Sequence, residues 1–127
     1  MVKLAEIMTD DVVTTSPETP VADVAAAMVK GRFGSAVVVQ GRMIVGIVTE
    51  RDVLRAAASR EDMGTAPVSR WMTHHPETVG PDIDSNEAEE RMLGGGFRHL
   101  PVVDGNDLVG IVSLRDLLSA RIRRSVR

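Results

Sequence analysis

The sequence predicts a mixed α/β (α+β) fold made of two β-α-β-β-α repeats that pack with pseudo-two-fold symmetry. The first observation is an internal duplication: shifted by 64 residues without a gap, the chain places Met8-Thr9 on Met72-Thr73 and Val45-Gly46-Ile47-Val48 on Val109-Gly110-Ile111-Val112. The second observation is that the apolar residues change within each copy from helical to strand-like spacing. Because a copy of about 55 residues is too small to close its own core comfortably, we expect the copies to pack together and leave two equivalent clefts.

A short strand and a helix open each copy. In the first copy, Thr19 as the N-cap and Pro20 at the first helical position predict a helix that Gly31 ends. In the second copy, Asp84 with Glu87 resembles a capping box, and three consecutive glycines end the helix. The second helix is more charged, so we expect it to be the more exposed of the two. The preceding strands are predicted at 12–15 and 77–79.

A β-hairpin and a second helix complete each copy. Short apolar runs around Gly-containing turns predict strands at 36–39 and 43–48, and at 100–103 and 108–112. Thr49 and Ser113 are good N-caps, so the last helix of each copy is expected to start there. The sequence therefore predicts repeat 1 at 2–58, a linker at 59–65, repeat 2 at 66–122 and a basic C-terminal tail at 123–127.

Composition argues against several functional classes. The net charge of −3 and the aromatic content of 2% disfavour nucleic-acid binding through a basic or stacking surface. The absence of cysteine removes disulfides, thiolate metal sites and a cysteine nucleophile. No signal peptide or membrane span is visible, so we expect a soluble, cytoplasmic protein. The serines and histidines show no nucleophile–base spacing, so no enzyme is expected, and His74-His75 favours a polar loop over a metal site.

Two related motifs carry a resemblance to a known family. They are Gly46-Ile47-Val48-Thr49-Glu50-Arg51-Asp52 and Gly110-Ile111-Val112-Ser113-Leu114-Arg115-Asp116, supported by His99-Leu100-Pro101-Val102-Val103-Asp104. Over residues 2–122 the chain resembles a tandem pair of cystathionine-β-synthase (CBS) domains, a Bateman module. The resemblance implies a free-standing regulatory or sensor module that binds an adenosine-containing ligand of the AMP, ADP or ATP class. S-adenosylmethionine, NAD and a ligand-independent dimerisation or interaction module remain alternatives.

The family pattern implies a role for the last helix of each copy. Its Asp accepts hydrogen bonds from the ribose hydroxyls, and its Ser or Thr lies at a helix N-terminus that favours an anion. The same spacing in Thr49-x-x-Asp52 and Ser113-x-x-Asp116 also fits a capping box that needs no ligand. Both interpretations remain open at this point.

The resemblance implies that each cleft mixes the two copies. Cleft A is expected to contain Thr49, Asp52, Pro76, Glu77, Phe97, Arg98, His99 and Arg115. Cleft B is expected to contain Val12, Val13, Phe33, Gly34, Ser35, Arg51, Ser113 and Asp116. Because cleft A gathers more cationic side chains, we expect it to bind phosphate-bearing adenosine ligands more tightly.

A homodimer is also expected. Free-standing CBS pairs resemble disc-like dimers, and the segments Leu4–Ile7 and Val68–Trp71, with the final helices, have apolar faces that one module does not fully cover. A downstream protein partner of unknown identity is also expected.

Overall fold

The computed structural model describes residues 1–125, and in that range it shows the mixed α+β fold that the sequence predicts. The four helices are α1 (Val21–Gly31), α2 (Glu50–Ala58), α3 (Ser85–Gly95) and α4 (Leu114–Ser125). The strands are β1 (Thr14–Thr15), β2 (Ser35–Gln40), β3 (Met43–Thr49), β4 (Thr73–His74), β5 (His99–Asp104) and β6 (Asp107–Ser113). Short 3₁₀ turns occupy Leu4–Glu6 and Val68–Arg70.

The chain divides into two compact units, and each unit takes its leading Met-Thr segment from the other sequence copy. One unit is Val12–Pro76, and the other joins Met1–Asp11 to the chain from Glu77 onward. The Met8-Thr9 segment therefore lies with the hairpin of the second sequence copy, and Met72-Thr73 lies with the hairpin of the first. The boundaries 2–58 and 66–122 stay a prediction about the duplication. Of the predicted tail, residues 123–125 belong to α4, and residues 126–127 lie outside the described residues.

The unit of residues 12–76 is built on a four-stranded sheet with the order β1-β2-β3-β4. Strand β1 runs parallel to β2, and the antiparallel hairpin β2–β3 turns at Gly41, whose φ of +64° is readily adopted by glycine. Strand β4 pairs antiparallel with β3, where Thr73 lies opposite Ile47. The largest core cluster of this unit comprises Val24, Met28, Ala36, Val38, Val48, Val68 and Met72.

The second unit repeats this plan with shorter flanking pairs. Its sheet is the antiparallel hairpin β5–β6. Thr9 pairs antiparallel with Ile111 on one side, and Val79 pairs parallel with Val102 on the other. The core comprises Leu4, Val79, Ala88, Met92, Leu100, Val102, Val112 and Leu117. The predicted strand at 77–79 is thus reduced to a single bridged residue.

The start of α1 differs from the sequence prediction. Pro20, not Thr19, is the N-cap, and its ψ of 143° keeps it extended so that the helix begins at Val21. The Thr19 hydroxyl lies 3.1 Å from the Ser16 hydroxyl and makes no cap. The predicted end is confirmed, because α1 stops at Gly31.

The capping box predicted for α3 is also wrong. Asp84 is the N-cap, and its carboxylate accepts a hydrogen bond of 3.0 Å from the backbone N–H of Asn86. Glu87 does not return to the cap, because its carboxylate accepts a 2.8 Å hydrogen bond from Arg91. The expected greater exposure of α3 is small: seven of its eleven residues are exposed, against six of eleven in α1. Each helix buries three side chains at repeat-equivalent positions: Val21, Val24 and Met28 in α1, and Ser85, Ala88 and Met92 in α3.

Two repeat-related glycines allow the leading segments to lie against the hairpins. A Cβ atom at Gly46 would overlap the Met72 side chain. A Cβ atom at Gly110 would lie 2.7 Å from Met8 Sδ and 2.9 Å from the backbone oxygen of Thr9. That oxygen accepts a 2.8 Å hydrogen bond from the N–H of Ile111, so it cannot retreat without breaking the pairing.

We predict that Gly110→Ala lowers the free energy of unfolding by about 1–3 kcal/mol, because the added methyl overpacks a backbone contact. The matched control is Gly94→Ala in α3, where a Cβ meets nothing within 4 Å. Alanine there should be neutral or stabilise by about 0.5–1 kcal/mol. Urea denaturation followed by circular dichroism measures both changes, and a Gly110→Ala protein as stable as wild type would contradict the overpacking.

Candidate ligand-binding site

Helix α2 begins with a reciprocal cap between Thr49 and Asp52. The backbone N–H and the hydroxyl of Thr49 donate to Asp52 Oδ2 at 2.9 and 3.2 Å. In return, the backbone N–H of Asp52 donates to Thr49 Oγ1 at 3.4 Å. The Asp52 side chain is only 7% exposed. The capping box that the sequence spacing allowed is therefore present.

Helix α4 begins with the same arrangement. The backbone N–H of Ser113 donates to Asp116 Oδ2 at 3.0 Å, and the N–H of Asp116 donates to Ser113 Oγ at 3.0 Å. The Asp116 side chain is half-buried. In both repeats the cap uses Oδ2 of the carboxylate. The capacity to bind a ligand therefore depends on whether Oδ1 already accepts a hydrogen bond.

The second carboxylate oxygen distinguishes the two repeats. Arg55 Nη1 donates to Asp52 Oδ1 at 3.1 Å, and the Arg55 guanidinium lies 5.7 Å from the centre of the Trp71 ring. The repeat-equivalent positions hold Ser119 and Ile7. Among residues 1–123, whose side chains the structure describes, no hydrogen bond or ion pair reaches Asp116 Oδ1.

Sequence reasoning missed Arg55 as a site residue. The signal was available, because Arg55 follows Asp52 by three residues on a helix, a spacing at which side chains meet. The serine at the equivalent position 119 would have marked the contact as specific to one repeat.

Hairpin register places further predicted residues beside each cap. Ser35 lies opposite Thr49, and the Gly34 carbonyl accepts a 3.2 Å hydrogen bond from the N–H of Glu50. In the other unit, His99 lies opposite Ser113, and the Arg98 carbonyl accepts a 2.9 Å hydrogen bond from the N–H of Leu114. Each cap is thus adjacent to the strand start of its own sequence copy.

The remaining predicted residues are divided between the two units. Arg51, Arg98 and Arg115 are exposed, and Glu77 forms a 3.9 Å ion pair with Arg91. Residues 12–76 hold Val12, Val13, Phe33, Gly34, Ser35, Thr49, Arg51, Asp52 and Pro76. The other unit holds Glu77, Phe97, Arg98, His99, Ser113, Arg115 and Asp116. Because clefts A and B each draw residues from both units, their assembly stays a prediction.

Exposed apolar side chains recur at equivalent positions of the two copies. Val29 and Leu93 are 79% and 66% exposed, and Leu54 and Leu118 are 70% and 43% exposed. In the unit of residues 12–76, Val29 borders a cavity of about 350 Å³, which is also lined by Ala25, Met28, Arg32, Phe33, Glu50 and Val53.

The leading segments do not supply the exposed apolar face that the sequence suggested for a dimer. Leu4 and Val68 have no exposed surface, because each is packed in the core of its own unit. The final helices of the two copies do expose apolar side chains, Leu54 in α2 and Leu118 and Ile122 in α4.

The described part of the chain offers neither a metal cluster nor a membrane-spanning helix. No group of three or more His, Asp or Glu side chains among residues 1–125 is arranged to hold a metal ion. In the same range, no helix combines the length and apolar character that a membrane crossing requires.

Comparison with known proteins gives one family match in each of the two repeats. The family model of the CBS domain matches residues 4–59 and 68–123. A CBS domain-containing protein of Bacillus subtilis is 36% identical over 118 residues, which cover 92% of this chain and 84% of that relative. The structure of a protein with CBS domains from Burkholderia ambifaria has a TM-score of 0.90 at 30% identity and covers 96% of this chain and 95% of that chain. A CBS domain protein from Pyrobaculum aerophilum, solved in complex with AMP, has a TM-score of 0.86 at 29% identity, covering 99% of this chain and 100% of that chain.

We predict that Ser113→Ala destabilises the protein by about 1 kcal/mol, because the N–H of Asp116 loses its acceptor at the start of α4. Ser113→Thr is the matched control, since it keeps the capping oxygen and should stay close to wild type. Chemical denaturation measures the difference. Equal stability of the alanine and threonine variants would show that the cap contributes little.

Proposed function

Because the chain belongs to the CBS-domain family and carries two CBS domains in tandem, we propose that it is a regulatory module that binds an adenosine-containing ligand of the AMP, ADP or ATP class. The observation that carries the proposal is the duplicated carboxylate at a helix N-terminus, Asp52 in one unit and Asp116 in the other. The AMP complex of the Pyrobaculum aerophilum relative supports the choice of ligand class.

The chemistry of the two helix starts fits a nucleotide. A capped carboxylate is held in one orientation and can accept hydrogen bonds from ribose hydroxyls on its remaining oxygen. The exposed Arg51 and Arg115 lie on the first turn of the same helices, where a guanidinium can form charge-assisted bonds to a phosphate. In the expected clefts, Arg115 lies with Asp52 and Arg51 lies with Asp116, so each proposed site combines a ribose acceptor from one repeat with a phosphate-binding arginine from the other.

The proposal gives the protein no catalytic role. The hydroxyls of Thr49 and Ser113 are engaged in helix caps with Asp52 and Asp116. The Thr49 hydroxyl donates to the Asp52 carboxylate, and the Ser113 hydroxyl accepts from the backbone N–H of Asp116, so the proposal assigns both hydroxyls to helix capping and neither to nucleophilic attack. The regulatory proposal therefore uses these groups for orientation and binding only.

A second function, self-association, is supported by a different observation. The apolar side chains of Val29, Leu54, Leu93 and Leu118 are exposed at repeat-equivalent positions, although single exposed apolar residues need no explanation. Their recurrence in both copies, beside an apolar cavity in one of them, favours an interface. We propose that these helix faces form a homodimer, with or without the nucleotide.

We predict that AMP, ADP or ATP raises the melting temperature of the protein. A ligand at about 100 times its Kd adds roughly 2.7 kcal/mol to the free energy of unfolding. Asp52→Asn and Asp116→Asn should each remove one calorimetric binding site, because an amide accepts fewer hydrogen bonds than a carboxylate. Glu50→Gln is the matched control, since Glu50 is an exposed acid on the same helix turn as Asp52.

Differential scanning fluorimetry and isothermal titration calorimetry measure these effects, with S-adenosylmethionine and NAD as competing ligands. The proposed nucleotide function would be wrong if none of the adenosine compounds changed the melting temperature.

We predict that the chain forms a dimer at micromolar concentration and that Leu54→Arg combined with Leu118→Arg converts it to a monomer of 13.7 kDa. Two buried charges without partners in an interface carry a large desolvation cost. Met43→Arg is the matched control, because Met43 is 68% exposed but has Asp107 at the equivalent position of the other copy. Light scattering coupled to gel filtration measures the mass, and a monomeric wild-type protein would contradict self-association.

A further inference from the structure

We infer that Arg55 occupies the carboxylate of Asp52 in the ligand-free protein, so that Asp116 is the more available of the two repeat-related aspartates. The inference rests on the proposed function, because it concerns how a ribose competes for the same carboxylates. It assigns a specificity role to Arg55, which lies outside the duplicated motif.

Both oxygens of Asp52 are engaged within its own helix. Oδ2 accepts hydrogen bonds from Thr49, and Oδ1 accepts one from Arg55 at 3.1 Å. A ribose hydroxyl can bind Oδ1 only by displacing the guanidinium or by sharing the oxygen with it. In the second repeat, Oδ2 of Asp116 serves the cap, and Oδ1 has no such occupant among the described residues.

A second contact holds Arg55 in this position. Its guanidinium lies 5.7 Å from the centre of the Trp71 ring, which is within the range of cation–π attraction. Trp71 packs against the cluster of Val21, Ala56 and Ala66. The Arg55 side chain is 60% exposed, so the ion pair alone would be weak, but the ring restrains the guanidinium beside the carboxylate.

The second repeat has neither part of this arrangement. Ser119 and Ile7 stand at the positions equivalent to Arg55 and Trp71. A serine carries no positive charge, and an isoleucine side chain presents no π face. The inequality of the two sites therefore depends on two side chains in an otherwise duplicated pattern.

This inequality has the opposite sign from the one that counting cations predicts. The larger number of cationic side chains expected in cleft A predicted tighter nucleotide binding at Asp52. The Arg55 contact instead disfavours ribose binding at that carboxylate. Hairpin register also places the backbone of Arg98 and His99 beside Ser113, in the same unit as Asp116. We therefore expect the tighter AMP site to depend on Asp116.

The test measures AMP binding by calorimetry at the Asp52 site alone, in a protein carrying Asp116→Asn. Adding Arg55→Met removes the charge but keeps an unbranched apolar chain. We expect AMP affinity to rise roughly threefold to fivefold, the range of a partly exposed ion pair. Arg42→Met is the matched control, because Arg42 is an exposed arginine of the same unit and has no contact with Asp52.

A second ligand separates competition for the carboxylate from a general effect on the fold. The analogue 2′,3′-dideoxyadenosine monophosphate lacks both ribose hydroxyls and so has no ribose donor for the Asp52 carboxylate. Arg55→Met should therefore leave the affinity for this analogue unchanged. The reciprocal variant is Ser119→Arg in a protein carrying Asp52→Asn. It places a guanidinium three residues after Asp116 and should weaken AMP binding there by about threefold.

The outcomes are distinct for the inference and for the proposed function. If AMP binds the Asp52 site and Arg55→Met leaves its affinity unchanged or lowers it, the inference is overturned and the proposed function stands. An equal gain for the dideoxy ligand also overturns the inference. If AMP binds neither the wild-type nor the Arg55→Met protein, the proposed function is overturned and the inference with it.

Discussion

The pairing of each Met-Thr segment with the hairpin of the other sequence copy is the constraint on which the two units depend. Thr9 and Ile111 exchange backbone hydrogen bonds of 2.9 and 2.8 Å, and Thr73 lies opposite Ile47 in the first unit. This pairing brings Leu4 into one core and Val68 into the other, where neither has exposed surface. It requires a residue without a side chain at Gly46 and Gly110, so the glycines of the duplicated motif have a packing role that is independent of any ligand.

The same carboxylates serve helix capping and the proposed binding of a ribose. In Asp52 and Asp116, one oxygen accepts from the N-cap backbone, which satisfies a donor that the first helical turn leaves unpaired. A carboxylate has acceptor capacity for more than one such bond, so capping does not exclude ligand binding. The cap fixes the orientation of the side chain, and a preorganised acceptor loses less conformational entropy when a ligand binds.

Departures from the duplication distinguish the two proposed sites. Arg55 and Trp71 have no counterparts in the second repeat, where Ser119 and Ile7 stand instead. The apolar positions behave differently, because Leu54 and Leu118 are exposed in both copies. A feature present in both copies fits a symmetric role such as self-association, whereas a feature confined to one copy makes its site different from the other.

The sequence by itself determined the duplication, the four helices, the two hairpins and the caps at Thr49 and Ser113, but not the short strand β4 at Thr73–His74. These features rest on local spacing, which one segment of chain specifies without its neighbours. The start of α1 was misplaced by one residue, because an extended Pro20 takes the N-cap without any side-chain bond. The failed capping box of α3 has a similar origin, since Arg91, one helical turn further on, competes for Glu87.

Only the tertiary structure decided which segments form a unit and what occupies each carboxylate. The exchange of the Met-Thr segments depends on contacts between residues such as Thr9 and Ile111, which lie far apart in the chain. The position of Arg55 depends on Trp71, which reaches the same helix only through the fold. Local spacing limits which neighbours a side chain can reach, but long-range packing determines which of them it contacts. The contacts of Arg55 with Asp52 and Trp71 therefore distinguish the first site from the second.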